Sequence, residues 1–173
     1  MRGKPAFKKE ILPDPKFNNI IVAKFINHIM SHGKKTTAQK IVYGCFDILK
    51  EKVSSPTGGL AIGEKKDINI LDVFNKALKN ITPIIEVKGR RIGGANYQVP
   101  TEVKGNRKIT LGLRWLITAA RARKGRSMKE KLTMEILDAL NNAGGAIKKK
   151  DDVYRMAQAN RAFAHFARFG QKH

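Results

Sequence analysis

Apolar residues recur along most of this chain three and four positions apart, the spacing of one face of an α-helix. Val22, Phe25, Ile26 and Ile29 make the first such stripe, predicting a helix to about Ser31 that either Asn18 or Asn19 can cap. After a stop at Gly33, Ala38, Ile41, Val42, Cys45, Phe46 and Leu49 predict a second helix, from a Thr36 cap to about Lys52. Ile70, Phe74, Ala77, Leu78 and Ile81 mark a third, from about Asn69 to Thr82, which Pro83 ends. A fourth runs from about Lys108 to Lys124 with Ile109, Leu113, Leu116, Ile117 and Ala120 inward. Ser127-Met128-Lys129-Glu130 reads as a capping box opening a fifth helix. Its inward residues are Leu132, Ile136, Leu140 and Ala143, and Gly144-Gly145 ends it. The last helix is expected to carry Asp151 and Asp152 in its first turn and Val153, Met156, Ala157, Asn160 and Ala164 inward. Tyr154, Gln158, Arg161, His165 and Arg168 share a polar stripe, while Phe163, Phe166 and Phe169 are expected to pack.

Between the third and fourth helices the period changes from helical to two. Ile85, Val87 and Gly89 alternate with Glu86, Lys88 and Arg90; Ala95, Tyr97, Val99, Thr101 and Val103 alternate with Asn96, Gln98, Glu102 and Lys104. Alternation gives each arm one packing and one polar face, with the Ile85–Val87–Gly89 side predicted to pack. Gly93-Gly94 supplies the positive φ that a two-residue turn needs. Pro100 cannot donate to a ladder, so its strand is an edge or its nitrogen faces away from the partner. The fold predicted is mainly α: a six-helix, bundle-like single domain over 18–173, with a protruding two-stranded hairpin over 84–104. Residues 53–67, with one Pro and three Gly, read as an extended surface loop, and 1–17 as a basic N-terminal arm.

Charge changes the picture from fold to partner. The 173 residues carry 35 Lys and Arg against 14 Asp and Glu, a net charge of +21. A compact domain so charged repels itself, so a polyanion is the expected partner. The charge is concentrated: Lys88 to Arg126 holds eleven Lys and Arg and one acid, Glu102. Arg107, Arg114 and Arg121 are seven residues apart and share a helix face, opposite the apolar stripe. Lys34 and Lys35 lie beside the start of the second helix, where phosphate is also attracted by the helix end. Trp115 is on the flank of the fourth helix and is expected to pack.

Other chemistries find little support. The four His, at 28, 32, 165 and 173, are scattered, and no nucleophile or carboxylate pair accompanies them. Glu86 and Glu102 could face each other across the hairpin but are expected to form ion pairs. Ile92-Gly93-Gly94-Ala95 is a turn, not a nucleotide-binding loop. Cys45 is the single cysteine, expected as a buried small hydrophobe, so no intrachain disulfide forms. No enzyme activity, cofactor or metal is expected, and no apolar run reaches a membrane span. A minor-groove DNA binder would want apolar wedges at the arm tip, where only Ile92 qualifies.

Several stretches are similar to one family. I-L-P-D-P-K-F at 11–17, H-G-K-K-T-T-A at 32–38, V-K-G-R-R-I-G-G-A-N-Y-Q-V-P at 87–100, L-R-W-L at 113–116, the Arg-rich 121–126 and R-M-A-Q-A-N-R-A-F-A-H-F at 155–166 resemble the small-subunit ribosomal protein seven family, bacterial or organellar type. The resemblance implies six helices with a hairpin between the third and fourth. It implies early binding to the 3′ major domain of small-subunit ribosomal RNA, nucleating assembly of the subunit head. The ribosomal RNA contacts then expected are Lys8, Lys9, Lys34, Lys35, Arg107, Arg114, Arg121, Arg123, Lys148, Lys149, Arg155 and Arg161. The hairpin, with Lys88, Arg90, Arg91, Gly93, Gly94 and Tyr97, is expected near the exit-site transfer RNA and the messenger path. Neighbouring head and platform proteins are the other partners implied, in the small ribosomal subunit of a bacterial cytoplasm or an organelle. Some members bind their own messenger. The 53–67 loop is longer than the resemblance leads one to expect.

Overall fold

A computed structural model describes residues 10–54 and 69–170, with side chains as far as Ala167. Most of the N-terminal arm and of the 53–67 loop therefore lies outside the described residues, as do the side chains of Arg168 and Phe169. The chain groups into two compact units, Met1–Tyr43 and Gly44–His173. The elements are α1 (Ile20–Ile29), α2 (Lys35–Ser54), α3 (Ile70–Ile81), β1 (Ile85–Ile92), β2 (Ala95–Glu102), α4 (Asn106–Ala122), α5 (Met128–Leu140), α6 (Gly145–Ala159) and a 3-10 helix (Arg161–Gly170). The mainly helical fold with a hairpin after the third helix is the one the periodicities predict. Its last predicted helix is divided into α6 and the 3-10 helix.

In the first unit, Asn19 caps α1, accepting from the amides of Ile21 and Val22 at 2.7 and 3.4 Å. Val22, Phe25, Ile26 and Ile29 are buried, as their spacing requires. The end of the supposed arm is a built turn. Asp14 is buried, and its carboxylate accepts from the amides of Lys16 and Phe17, both at 3.2 Å, and from the Tyr43 hydroxyl at 2.8 Å. Lys16 Nζ lies 5.0 Å from the Tyr43 ring centroid. Burial, and then the bond to Asp14, push the Tyr43 phenol up to about 12. The second helix starts at Lys35, so Thr36 is in its first turn and is not the cap.

In the second unit, Phe46 and Phe74 meet with ring centroids 5.4 Å apart. Leu49, Ile81, Leu113, Leu116, Leu132 and Ile136 are fully buried with them. Each such side chain is worth about 1.5–3 kcal/mol of burial. Cys45 is buried among these helices, which pushes its thiol up to about 12 despite a bond from Thr133. Polar groups close the helix ends: Asn80 donates to the Ala139 carbonyl at 3.0 Å, and Lys150 Nζ donates to the Asn80 carbonyl at 2.6 Å.

Three boundaries differ from the predicted ones. Ser127 caps no amide; its hydroxyl donates to Glu130 at 2.6 Å, so the reciprocal capping box does not form. α5 ends at Leu140, and Asn142 and Gly144, at φ +54° and +93°, make the break before α6, leaving Ala143 exposed rather than inward. The last helix therefore begins at Gly145, with Lys148–Lys150 inside it and Asp151 and Asp152 beyond its first turn. After Ala159 the rotation per residue rises from about 100° to about 120° as the backbone tightens to 3-10. The helical stripe loses phase there, and Ala164, expected inside, is exposed. Met156, 45% exposed, also lies outside despite its place in the stripe.

The hairpin pairs antiparallel with Ile92 opposite Ala95, and both turn glycines have positive φ, 56° and 91°. β2 packs the Tyr97–Val99–Thr101–Val103 side, as its alternation predicts, but β1 packs the side opposite to the predicted one. Opposed residues share a face, so Val99, fully buried, lies on the side of Lys88, and Thr101 on that of Glu86. The apolar series Ile85–Val87 is outward, paired with Glu102 and Pro100. The inner face of β1 is instead charged, with Glu86 bonded to Arg107 and Arg90 to the backbone of the 3-10 helix.

Candidate nucleic-acid interface

Several cations on this fold pair with buried carboxylates, and several are exposed. Glu86 is the first internal partner, only 6% exposed. Arg107 Nε donates to both its oxygens at 2.9 Å, and Lys88 Nζ lies 2.7 Å away. Burial works to raise this carboxyl, but the bonds and charges of Lys88 and Arg107 outweigh it and hold it below the usual range. Arg107 thus fastens the base of the hairpin to α4, while Lys88 pairs with Glu86 along the same strand. The expected ion pairing of Glu86 is present; Glu102 stands opposite Ile85 and does not face it.

Glu135 is the second internal partner, 1% exposed. One oxygen accepts from Arg123 Nε at 2.7 Å and the other from the Ala146 amide at 2.8 Å. Arg123 also ion-pairs with Asp138. Burial alone would lower the guanidinium pKa, but Asp138 and Glu135 raise it, so the charge is secure. Arg123 is therefore occupied in joining the end of α4 to α5, and through Glu135 to the start of α6.

The remaining predicted contacts of this unit face solvent. Arg114 and Arg121 are exposed on α4, and Lys148, Lys149, Arg155 and Arg161 are exposed on α6 and the 3-10 helix. Arg155 has only a loose pair with Asp152, at 3.6 Å. Lys124 and Arg126, in the turn after α4, are exposed too and extend the set. In the first unit Lys34 and Lys35 are exposed where α2 begins, and the Lys34 carbonyl accepts the Ala38 amide. Lys8 and Lys9 lie outside the described residues.

At the hairpin the paired arginines part company. Arg90 is on the inner face opposite Tyr97, and its guanidinium donates to the Phe166 carbonyl at 3.2 Å. Arg91 is on the outer face opposite Asn96 and is exposed, as are Gly93 and Gly94. Tyr97 packs against Phe163 and Phe166, with centroids 5.0 and 6.2 Å away. Tyr97 and Arg90 are thus the means by which the 3-10 helix is held against β2. No local pattern marks this pairing, because its members lie far apart in the chain.

Among the described residues no group of His, Cys, Asp and Glu could hold a metal ion, and no helix is long and apolar enough to cross a membrane. A family model for ribosomal protein S7p/S5e matches residues 1–161. A small ribosomal subunit protein uS7 of Thermotoga maritima is 55% identical over 166 residues, covering 96% of this chain and 99% of the relative. One of Rhodopseudomonas palustris is 52% identical over 165 residues, covering 95% and 97%. That coverage of nearly the whole chain, with every motif in order, means that the chain belongs to the ribosomal protein S7p/S5e family.

Proposed function

We propose that the chain is a structural component of the small ribosomal subunit that binds the 3′ major domain of ribosomal RNA and nucleates folding of the head. The observation that carries this reading is the exposed row of Arg114 and Arg121 on α4, flanked in sequence by Lys124 and Arg126 and backed by a buried apolar face. Rigid helices holding guanidinium groups outward suit folded RNA, where shape and phosphate are read more than base edges. Arginine adds bidentate phosphate geometry. The hairpin serves a second surface, with Arg91 and the Gly93-Gly94 tip toward exit-site transfer RNA and messenger, near head and platform neighbours.

Filter binding of a 3′-domain RNA fragment across a salt series tests the first part. Arg114→Ala with Arg121→Ala weakens binding by about 1.5–3 kcal/mol for each phosphate left without its guanidinium. The slope of log affinity against log salt falls by about 0.7–0.9 for each such phosphate. An unchanged affinity and slope would remove α4 from the interface.

A further inference from the structure

The junction of the hairpin with the 3-10 helix holds aromatic groups that the phosphate surface does not use. Tyr97, Phe163 and Phe166 are in mutual contact there, and each remains half-buried. The core aromatics Phe25, Phe46 and Phe74 are, in contrast, at most 1% exposed. Residues three apart eclipse in a 3-10 helix. Phe163 and Phe166 are accordingly near-parallel, at 16°. His165 meets Phe166 at a tilt of 43°, with ring centroids 3.9 Å apart, and is itself exposed. A 2.8 Å bond between its Nδ1 and the Ala162 carbonyl holds the ring in place. The surroundings are cationic: Arg90 is the cross-strand partner of Tyr97 and bonds the Phe166 carbonyl, and Arg161 begins the same helix. The sequence 153–170 contains no acidic residue.

An aromatic cluster with an exposed outer ring, on a helix without acids, has the composition of a base-stacking site. Every nucleobase has a π-face, and the flanking guanidinium groups suit the attached phosphates. We propose that His165, supported by Phe166, Phe163 and Tyr97, is a stacking platform for an unpaired base of single-stranded RNA reaching the hairpin. This rests on the reading that the hairpin side meets RNA and adds the residues and the kind of contact. Folded duplex offers no free base face, so the platform selects loops and single strands.

The test uses the full chain and two probes of equal charge, hexaadenylate and an abasic sugar-phosphate hexamer. Fluorescence anisotropy at moderate salt is expected to show hexaadenylate bound about tenfold more tightly. His165→Ala brings the two probes together, and His165→Tyr, which keeps an aromatic plane, preserves the preference. Equal binding of both probes by the unaltered chain overturns the platform, as does a preference that survives in His165→Ala. Loss in both variants also overturns it, since any aromatic ring should serve. Binding of the 3′-domain fragment is measured on the same samples. A fragment that binds without any base preference sinks the platform and leaves the ribosomal RNA reading intact. A base preference without fragment binding supports the platform and counts against that reading.

Discussion

Glu135 shows how one residue can organise an interface it does not touch. It is almost fully buried, and Arg123 and the Ala146 amide satisfy its two oxygens. Gly144 completes the arrangement: a Cβ built there would come within 2.9 Å of Glu135 Oε1. Breaking a buried pair by removing one partner is far worse than never having had it, because the other charge is left uncompensated. Glu135→Ala is therefore expected to destabilise the fold by about 3 kcal/mol, the lower end of the usual range because Arg123 keeps its pair with Asp138 and some solvent contact. Urea denaturation measures it; a midpoint within error of the unaltered chain would mean that Arg123 is not held by this carboxylate. The sequence leaves this residue invisible. Glu135 sits in α5 like any solvent-facing acid, and its partners lie on other elements.

At the level of the element, the hairpin is an arm with a fastened inner face and an open outer one. Glu86 ties its base to Arg107, and Arg90 and Tyr97 tie its distal half to the 3-10 helix. The two arginines at 90 and 91 then have separable effects. Arg90→Ala removes the donor to the Phe166 carbonyl and is expected to speed amide hydrogen exchange through Arg161–Gly170. Arg91→Ala leaves exchange unchanged and weakens exit-site transfer RNA binding instead. Identical exchange in both variants would show that the strap does not depend on Arg90. The Gly93-Gly94 turn and the packing face of β2 were legible in the sequence, since glycine acts locally on φ and Tyr97, Val99 and Val103 alternate with polar residues. Which face of β1 packs was not. Alternation with period two marks two faces without ranking them, and here the charged face of β1 found partners while Ile85 and Val87 stayed outside.

The molecule as a whole carries +21, and salt acts on that charge in two opposed ways. Screening relieves repulsion within the free protein but also reduces the gain from releasing ions condensed on RNA. Raising salt from about 50 to about 200 mM should increase the thermal midpoint of the free chain while weakening its RNA binding by orders of magnitude. A midpoint that falls over the same range would mean that the folded chain gains more from its ion pairs than it loses to repulsion.

The sequence by itself determined the helices, the Gly93-Gly94 turn, the basic character and the family likeness. Each of these rests on residues a few positions apart or on composition. Helical spacing identified Val22, Phe25, Ile26 and Ile29 as core without knowledge of what covers them. Only the tertiary structure decided which cations pair with buried carboxylates. Arg107 and Arg123 look like Arg114 along the chain, but Glu86 and Glu135 pair with these two. Likewise the bond from Arg90 to Phe166 spans 76 residues and leaves no local trace. An ion pair needs its two groups within a few ångströms, and that proximity is set by how helices and hairpin pack, not by the spacing of either residue in its own segment.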